Sequence, residues 1–138
     1  MPTKTEVTSK SGPNRFTQVV TIGPHTLRAD EPKEVGGDDL GPAPHDLLLA
    51  ALGSCTSMTI KMYAERKAIP LTSVDVTLSQ EKKQGAEHVI HRMVRLEGAL
   101  TDEQRARLLE IANKCPVHKT LTGTIRIESD LAPPPYGA

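Results

Sequence analysis

The two residues of this chain best suited to chemistry are its cysteines, Cys55 and Cys115, which stand 60 positions apart. That separation fits neither a disulfide-dense secreted framework nor a close-spaced metal pair. In a reducing compartment such a pair is either two inert buried thiols or a redox couple. Cys115 precedes Pro116, which suits the first position of a helix, so Cys115 is the expected N-cap of a short helix through VHKTL. A thiol there meets unpaired backbone N–H groups and the positive end of the helix dipole, and both favour the thiolate. Cys55 lies about three turns inside a long apolar helix, where the dipole has faded, so its reactivity must come from tertiary partners. The candidate cations are Arg15, Arg28, Lys119 and His118, and the sequence sets none of them beside it. A cysteine in the seam of a buried helix is the plainer reading of Cys55. His118, three residues past Cys115, is either a proton-donating neighbour of the thiols or a partly exposed histidine with no catalytic part.

The elements that must position these residues are legible in the spacing. EVTSK, FTQVVTI and HTLRA, separated by Gly-Pro turns, read as an antiparallel meander over residues 5–29. DEPKEVGGDDLGPAP holds too little apolar surface to pack and reads as a loop into a helix. From about Pro44 to Ala68, Leu48, Leu52 or Ala51, Cys55, Thr59 and Met62 recur at three and four, one helical face. The first two turns are apolar almost all round, which implies burial in the protein or in a dimer interface. Pro70 ends the element. Alternation from Ser73 to Lys82 and from His88 to Gly98 predicts two longer strands joined at KKQGAE. Thr101 with Gln104 three residues on is a capping box for a second helix through Leu108, Leu109 and Ile111. Thr124 to Leu131 reads as a last strand, and the tail PPPYGA as loosely held. This order is an α+β pattern and not an alternating parallel one.

Composition limits the function classes. A chain of 138 residues fits one domain, residues 1–138. With one Phe, two Tyr and no Trp, its core has few large anchors, which favours a dimer that shares its core. Lys plus Arg and Asp plus Glu both number 17, and no basic run is present, so nucleic-acid binding is not expected. The longest apolar run, Leu47 to Gly53, is far shorter than the roughly 20 residues of a membrane span, and MPTKTEVTSK has no apolar signal region. The expected location is the cytoplasm. Gly36, Gly37 and Gly41 lack the Gly-Lys-Ser/Thr ending of a phosphate loop.

Two segments carry a family resemblance. GGDDLGPAPHDLLLAALGSCTSMTIKMYAERK and LLEIANKCPVHKTL closely resemble the two cysteine helices of the osmotically inducible protein C and organic hydroperoxide resistance family. The first holds the Gly-Pro-x-Pro entry, the Leu-rich turn and Ala-Ala-Leu-Gly before the cysteine; the second holds Cys-Pro-Val. The resemblance extends over nearly the whole chain. It implies an α+β intertwined homodimer, with antiparallel sheets wrapped around two long central helices and active sites at the subunit interface. It implies a cysteine-based peroxidase in oxidative stress defence. Cys55 then attacks an organic hydroperoxide, or hydrogen peroxide, and becomes a sulfenic acid; Cys115 resolves it as a Cys55–Cys115 disulfide. A dithiol reductant, in family members often a lipoyl protein, reopens that bond. No metal or flavin is implied. Family members also use an arginine from the loop between the first strands, for which Arg15 is the better match and Arg28 the second, and a glutamate near the start of the cysteine helix. Here the chain departs: ten positions before Cys55 stands His45, with Asp46 beside it. Asp46 is the candidate replacement, one carbon shorter and about 100° round the helix. The departure motivates an alternative, a family member that binds a small apolar or thiol-bearing ligand without efficient peroxidase turnover.

Overall fold

A computed structural model describes residues 5–82, 85 and 87–134. The elements run β1 (Val7–Ser11), β2 (Gln18–Ile22), β3 (His25–Ala29), a single 3-10 turn (Lys33–Val35), α1 (Pro44–Arg66), β4 (Leu71–Lys82), β5 (His88–Gly98), α2 (Asp102–Ala112) and α3 (Pro116–Thr122). The strands form an antiparallel sheet in the order β1-β2-β3 and a separate β4-β5 pair. The α+β class holds. The KKQGAE turn and the PPPYGA tail lie partly outside the described residues.

The chain divides into two compact units, Met1–Ser54 with Val76–Met93, and Cys55–Asp75 with Val94–Ala138. In the first, the meander is in register from Val7↔Ile22 to Ser11↔Gln18 and from Gln18↔Ala29 to Ile22↔His25. Gly23, at φ +57°, opens the β2–β3 turn in a conformation that costs other residues more. Asp30 ties the loop that follows. It is 3% exposed and accepts from Thr17 Oγ1 at 2.8 Å, Glu31 N at 2.8 Å and Leu40 N at 3.1 Å.

In the second unit the core is the seam of α1 and α2. Ile60 and Ala64 pack with Leu108, Ile111 and Ala112, and half-buried Val94 and Leu96 of β5 lie against them. The seam works because both helices place small and branched side chains at three- and four-residue spacing, which lets their surfaces interlock. Arg107 clamps it at the edge. Its Nε donates to Tyr63 Oη at 3.0 Å and its Nη1 pairs with Glu110 at 2.8 Å. The capping box forms as expected: Gln104 N donates to Thr101 Oγ1, and Thr101 N to Gln104 Oε1, both at 3.0 Å.

Two expectations need correction. The buried stripe of α1 is Leu52, Thr56, Ile60 and Ala64, whereas Leu48 is 48% and Met62 65% exposed. Of this stripe, Ile60 and Ala64 pack on α2 and Thr56 meets Cys115, which turns it inward in place of the expected one. The strand expected over Thr124 to Leu131 does not form. A strand needs a ladder partner for its N–H and C=O groups, and among the described residues no strand pairs with this segment. By length and composition α1 passes for a membrane span, as core helices of globular proteins also do; the expectation of no span rested on unbroken apolar runs, and the hydroxyl residues near Cys55 interrupt them.

Candidate thiol site

The second unit contains both cysteines, each a free thiol. α1 carries Cys55, one position off the buried stripe, so its side chain is half-buried. Cys115 is the N-cap of α3, with Pro116 at the first helical position, and it is 0% exposed. The backbone there is extended, at φ −64° and ψ 137°, which aims the side chain back over the first turn. His118 N consequently donates to Cys115 Sγ at 3.3 Å. Thr56, also 0% exposed, points its hydroxyl at the same sulfur at 3.9 Å. The Cys55 side chain is a further hydrogen-bond neighbour of that sulfur. Cys55 Sγ also lies 3.9 Å from Thr59 Oγ1, one helical turn on.

These contacts set the charge of the site. Burial pushes the Cys115 thiol up, because the thiolate loses water. Against burial act the His118 N–H, the Cys55 side chain, the Thr56 hydroxyl and the Val117 N–H, and together they leave Cys115 below the ordinary thiol range. The sequence reading of Cys115 as a helix-cap thiol therefore has its structural counterpart in the His118 N–H. His118 contributes through its backbone here. Thr56 was not singled out in the sequence; its signal was a hydroxyl at a spacing of four from both Leu52 and Ile60. A pocket of about 700 Å³ opens beside Thr59, lined also by Met62, Glu65, Arg66, Lys114 and Pro116. Met62 and Pro116 give it an apolar wall, and Arg66 and Lys114 give it positive charge.

Lys119 lies in α3 of the same unit, whereas Arg15, Arg28, His45 and Asp46 belong to the first unit. Arg15 lies in the turn after β1, its guanidinium 4.7 Å from the Phe16 ring centroid and against Gly36, where a Cβ would meet its Nη1 at 3.0 Å. Gly36 has φ +94°, so a side chain there would be strained as well as crowded. Asp46 accepts from Ala43 N at 3.3 Å, satisfying one of the free N–H groups at the start of α1. Among the described residues Arg15 and Asp46 form no ion pair. His45 stacks on His88, with centroids 5.8 Å apart and planes at 13°. Arg28, in β3, borders a separate pocket of about 600 Å³ with Leu40 and Leu47. Among the described residues no group of three His, Cys, Asp or Glu side chains is placed to hold a metal.

Asp30 fixes the loop against which Arg15 lies, and its chemistry gives a pH prediction. Burial raises its carboxyl, but hydrogen bonds from Thr17, Leu40, Glu31 and Asp38 outweigh it and hold the group below the usual carboxylate range. A folded value below the unfolded one stabilises the protein above the unfolded value of about 3.9, and this is lost as pH falls through the folded value. Urea unfolding followed from pH 7 downward is expected to weaken below about pH 4. In Asp30→Asn that decline is expected to be shallower, from a lower starting stability; an identical slope in both would remove Asp30 from the acid response.

An α+β chain with a half-buried cysteine on its long helix, in contact with a buried cysteine at a helix cap, defines a class of dithiol proteins. The OsmC-like protein family model matches residues 36–130, and the chain belongs to that family. Solved structures share its fold. An OsmC-like protein from Mycoplasma pneumoniae superposes with TM-score 0.76 at 18% identity, covering 89% of this chain and 90% of that one. The organic hydroperoxide resistance protein OsmC from Legionella pneumophila gives 0.65 at 21% identity, covering 88% and 90%. The organic hydroperoxide resistance protein OhrB of Bacillus subtilis gives 0.59 at 19%, covering 88% and 92%. No curated protein matches the chain in sequence.

Proposed function

We propose that the protein is a cytoplasmic thiol peroxidase that reduces organic hydroperoxides, and hydrogen peroxide as a lesser substrate, in defence against oxidative stress. The observation that carries this reading is the hydrogen-bonded pair of free thiols, one half-exposed and one fully buried. A peroxide can approach Cys55 from solvent, and the sulfenic acid it leaves lies beside a second sulfur that solvent does not reach. Sulfenic acid with an adjacent thiol condenses to a disulfide. The pocket beside Thr59 offers an apolar wall for the organic part of the peroxide. A dithiol reductant, with a lipoyl protein as the expected donor, completes turnover by thiol–disulfide exchange.

Reduced protein mixed with cumene hydroperoxide, and separately with hydrogen peroxide, tests the reading by thiol count and intact mass. Loss of both thiols with formation of an internal disulfide is the expected result, faster with cumene hydroperoxide. Thiols that survive excess of both peroxides would leave the ligand-binding reading, which the engagement of Asp46 at the start of its own helix favours. Arg15 and Asp46 enter the proposal through the family resemblance. In the same assay Arg15→Ala and Asp46→Ala should oxidise more slowly than wild type, and unchanged rates would take them out.

The proposal includes a homodimer. Two features support it: the apolar face of α1 that includes Leu48, Met58 and Met62 is exposed in a single chain, and residues 124–131 keep a strand-like alternation, with Ile125 55% and Ile127 84% exposed. A second copy would cover the first and pair with the second. Sedimentation equilibrium should give twice the 14.9 kDa chain mass; a monomer at micromolar concentration would contradict it.

A further inference from the structure

We propose that Thr59 is a catalytic residue of the peroxide reaction, its hydroxyl donating a hydrogen bond to the oxygen that leaves as the O–O bond breaks at Cys55. The proposal rests on the peroxidase reading and deepens it.

α1 carries two threonines close to Cys55, and its pitch sends them to different sulfurs. Thr56, one position on and about 100° round the helix, lies on the buried stripe and meets Cys115 Sγ. Thr59, four positions on, stands one turn from Cys55 on the same face. A helical threonine commonly turns its hydroxyl back on the residue four positions earlier. Here it meets that residue's side chain, Cys55 Sγ, at 3.9 Å. Both side chains are half-buried, so sulfur and hydroxyl share one partly open surface. Thr59 also lines the pocket of about 700 Å³ whose apolar wall is Met62 and Pro116. It therefore joins the attacking sulfur to the space offered to the peroxide. Among the described residues no other residue lining that pocket has a hydrogen-bond contact with the Cys55 sulfur.

A hydroxyl suits this place because it rotates about its C–O bond and can donate or accept. Against a thiolate it donates, since that sulfur has no proton to give. In the reaction the Cys55 thiolate attacks the terminal oxygen of ROOH. The S–O bond forms, the O–O bond breaks, and Cys55–SOH keeps the hydrogen of that oxygen. RO⁻ leaves with the bonding pair; the sulfur is oxidised and the peroxide reduced. Negative charge thus moves from sulfur to the leaving oxygen, and the Thr59 O–H follows it. A donor aimed where charge develops favours the transition state over the ground state, and that difference is what speeds a step. Thr59 keeps its own proton. Water supplies the one that turns RO⁻ into ROH, and hydroxide passes to the medium.

Two reactions of Cys55 in the same protein separate this role from a structural one. Cumene hydroperoxide expels an alkoxide, whereas iodoacetamide expels iodide and places no charge on an oxygen. Thr59→Val keeps the shape of the side chain and removes the O–H. It is expected to slow thiol loss with cumene hydroperoxide by about tenfold or more, and alkylation of Cys55, read by peptide mass at the same pH, by no more than about twofold. Thr59→Ser should recover most of the peroxide rate. Thr59→Ala should behave as Thr59→Val, and it answers the question should the valine variant fail to fold. An unchanged peroxide rate in the variants that lack the hydroxyl, or one slowed only as much as alkylation, would overturn the proposal. A Thr59→Ser protein as slow as Thr59→Val would do the same. If wild type reacts and Thr59→Val matches it, the peroxidase stands without Thr59; wild-type thiols that survive excess peroxide end both readings.

Discussion

Cys55→Ser is expected to slow peroxide-driven thiol oxidation by about a thousandfold or more, the scale of losing a nucleophile, while Cys115→Ser still oxidises but forms no internal disulfide. Serine keeps the shape of the side chain and removes the polarizable sulfur that attacks an O–O bond. The thiol left in Cys55→Ser is Cys115, with no exposed surface, so peroxide in solution does not reach it. Its lowered pKa does not rescue it, because reaction needs access as well as thiolate. In Cys115→Ser the half-buried Cys55 still meets peroxide. The product gains one oxygen and then proceeds toward the sulfinic acid, with no neighbouring thiol to intercept it. Stopped-flow mixing with cumene hydroperoxide and intact mass checks both variants. Wild type should lose two hydrogens and Cys115→Ser should gain oxygen; a Cys55→Ser protein that reacts at the wild-type rate would end the assignment.

The second large effect concerns the frame. Leu108→Ala should destabilise the protein by about 3 kcal/mol and lower its Tm by roughly 10 °C. Leu108 is 0% exposed and fills the seam between Ile60 and Ala64 on α1 and its neighbours on α2. Removing it loses the transfer energy of the side chain and leaves a cavity that two helices fixed by a capping box and the Arg107 clamp cannot close. Leu109, one residue on and 55% exposed, is the control, and its replacement by Ala should cost about 0.5 kcal/mol or less. Thermal melts of the two variants in parallel decide it, and equal losses would sink this account of the core. Because α2 leads directly to Cys115, Leu108→Ala should also speed alkylation of that buried thiol.

Much of this frame was legible because it depends on local chemistry. The Thr101 and Gln104 capping box, the Cys115-Pro116 start of α3 and the alternation of β5 are each set by residues within a few positions of one another. Such short-range rules act whatever lies across the fold. The stripe of α1 was harder. Its apolar residues occur on several faces, and periodicity cannot say which face a neighbouring helix will cover. The segment over Thr124 to Leu131 carries a strand pattern, yet a pattern is only half a strand; the other half is a partner for its backbone.

The two thiols, the elements that carry them, the family and the cap position that lowers the pKa of Cys115 all follow from residues near one another in the chain. Packing across the fold turns Thr56 of α1 inward and leaves Cys55 half-buried, so that a hydroxyl and a second thiol meet one buried sulfur. It also decided that Asp46 is used at the start of its own helix. The physical reason is common to both: a side chain's partners are set by packing between elements distant in sequence, and one residue's rotation of a helix, about 100°, exchanges one set of partners for another.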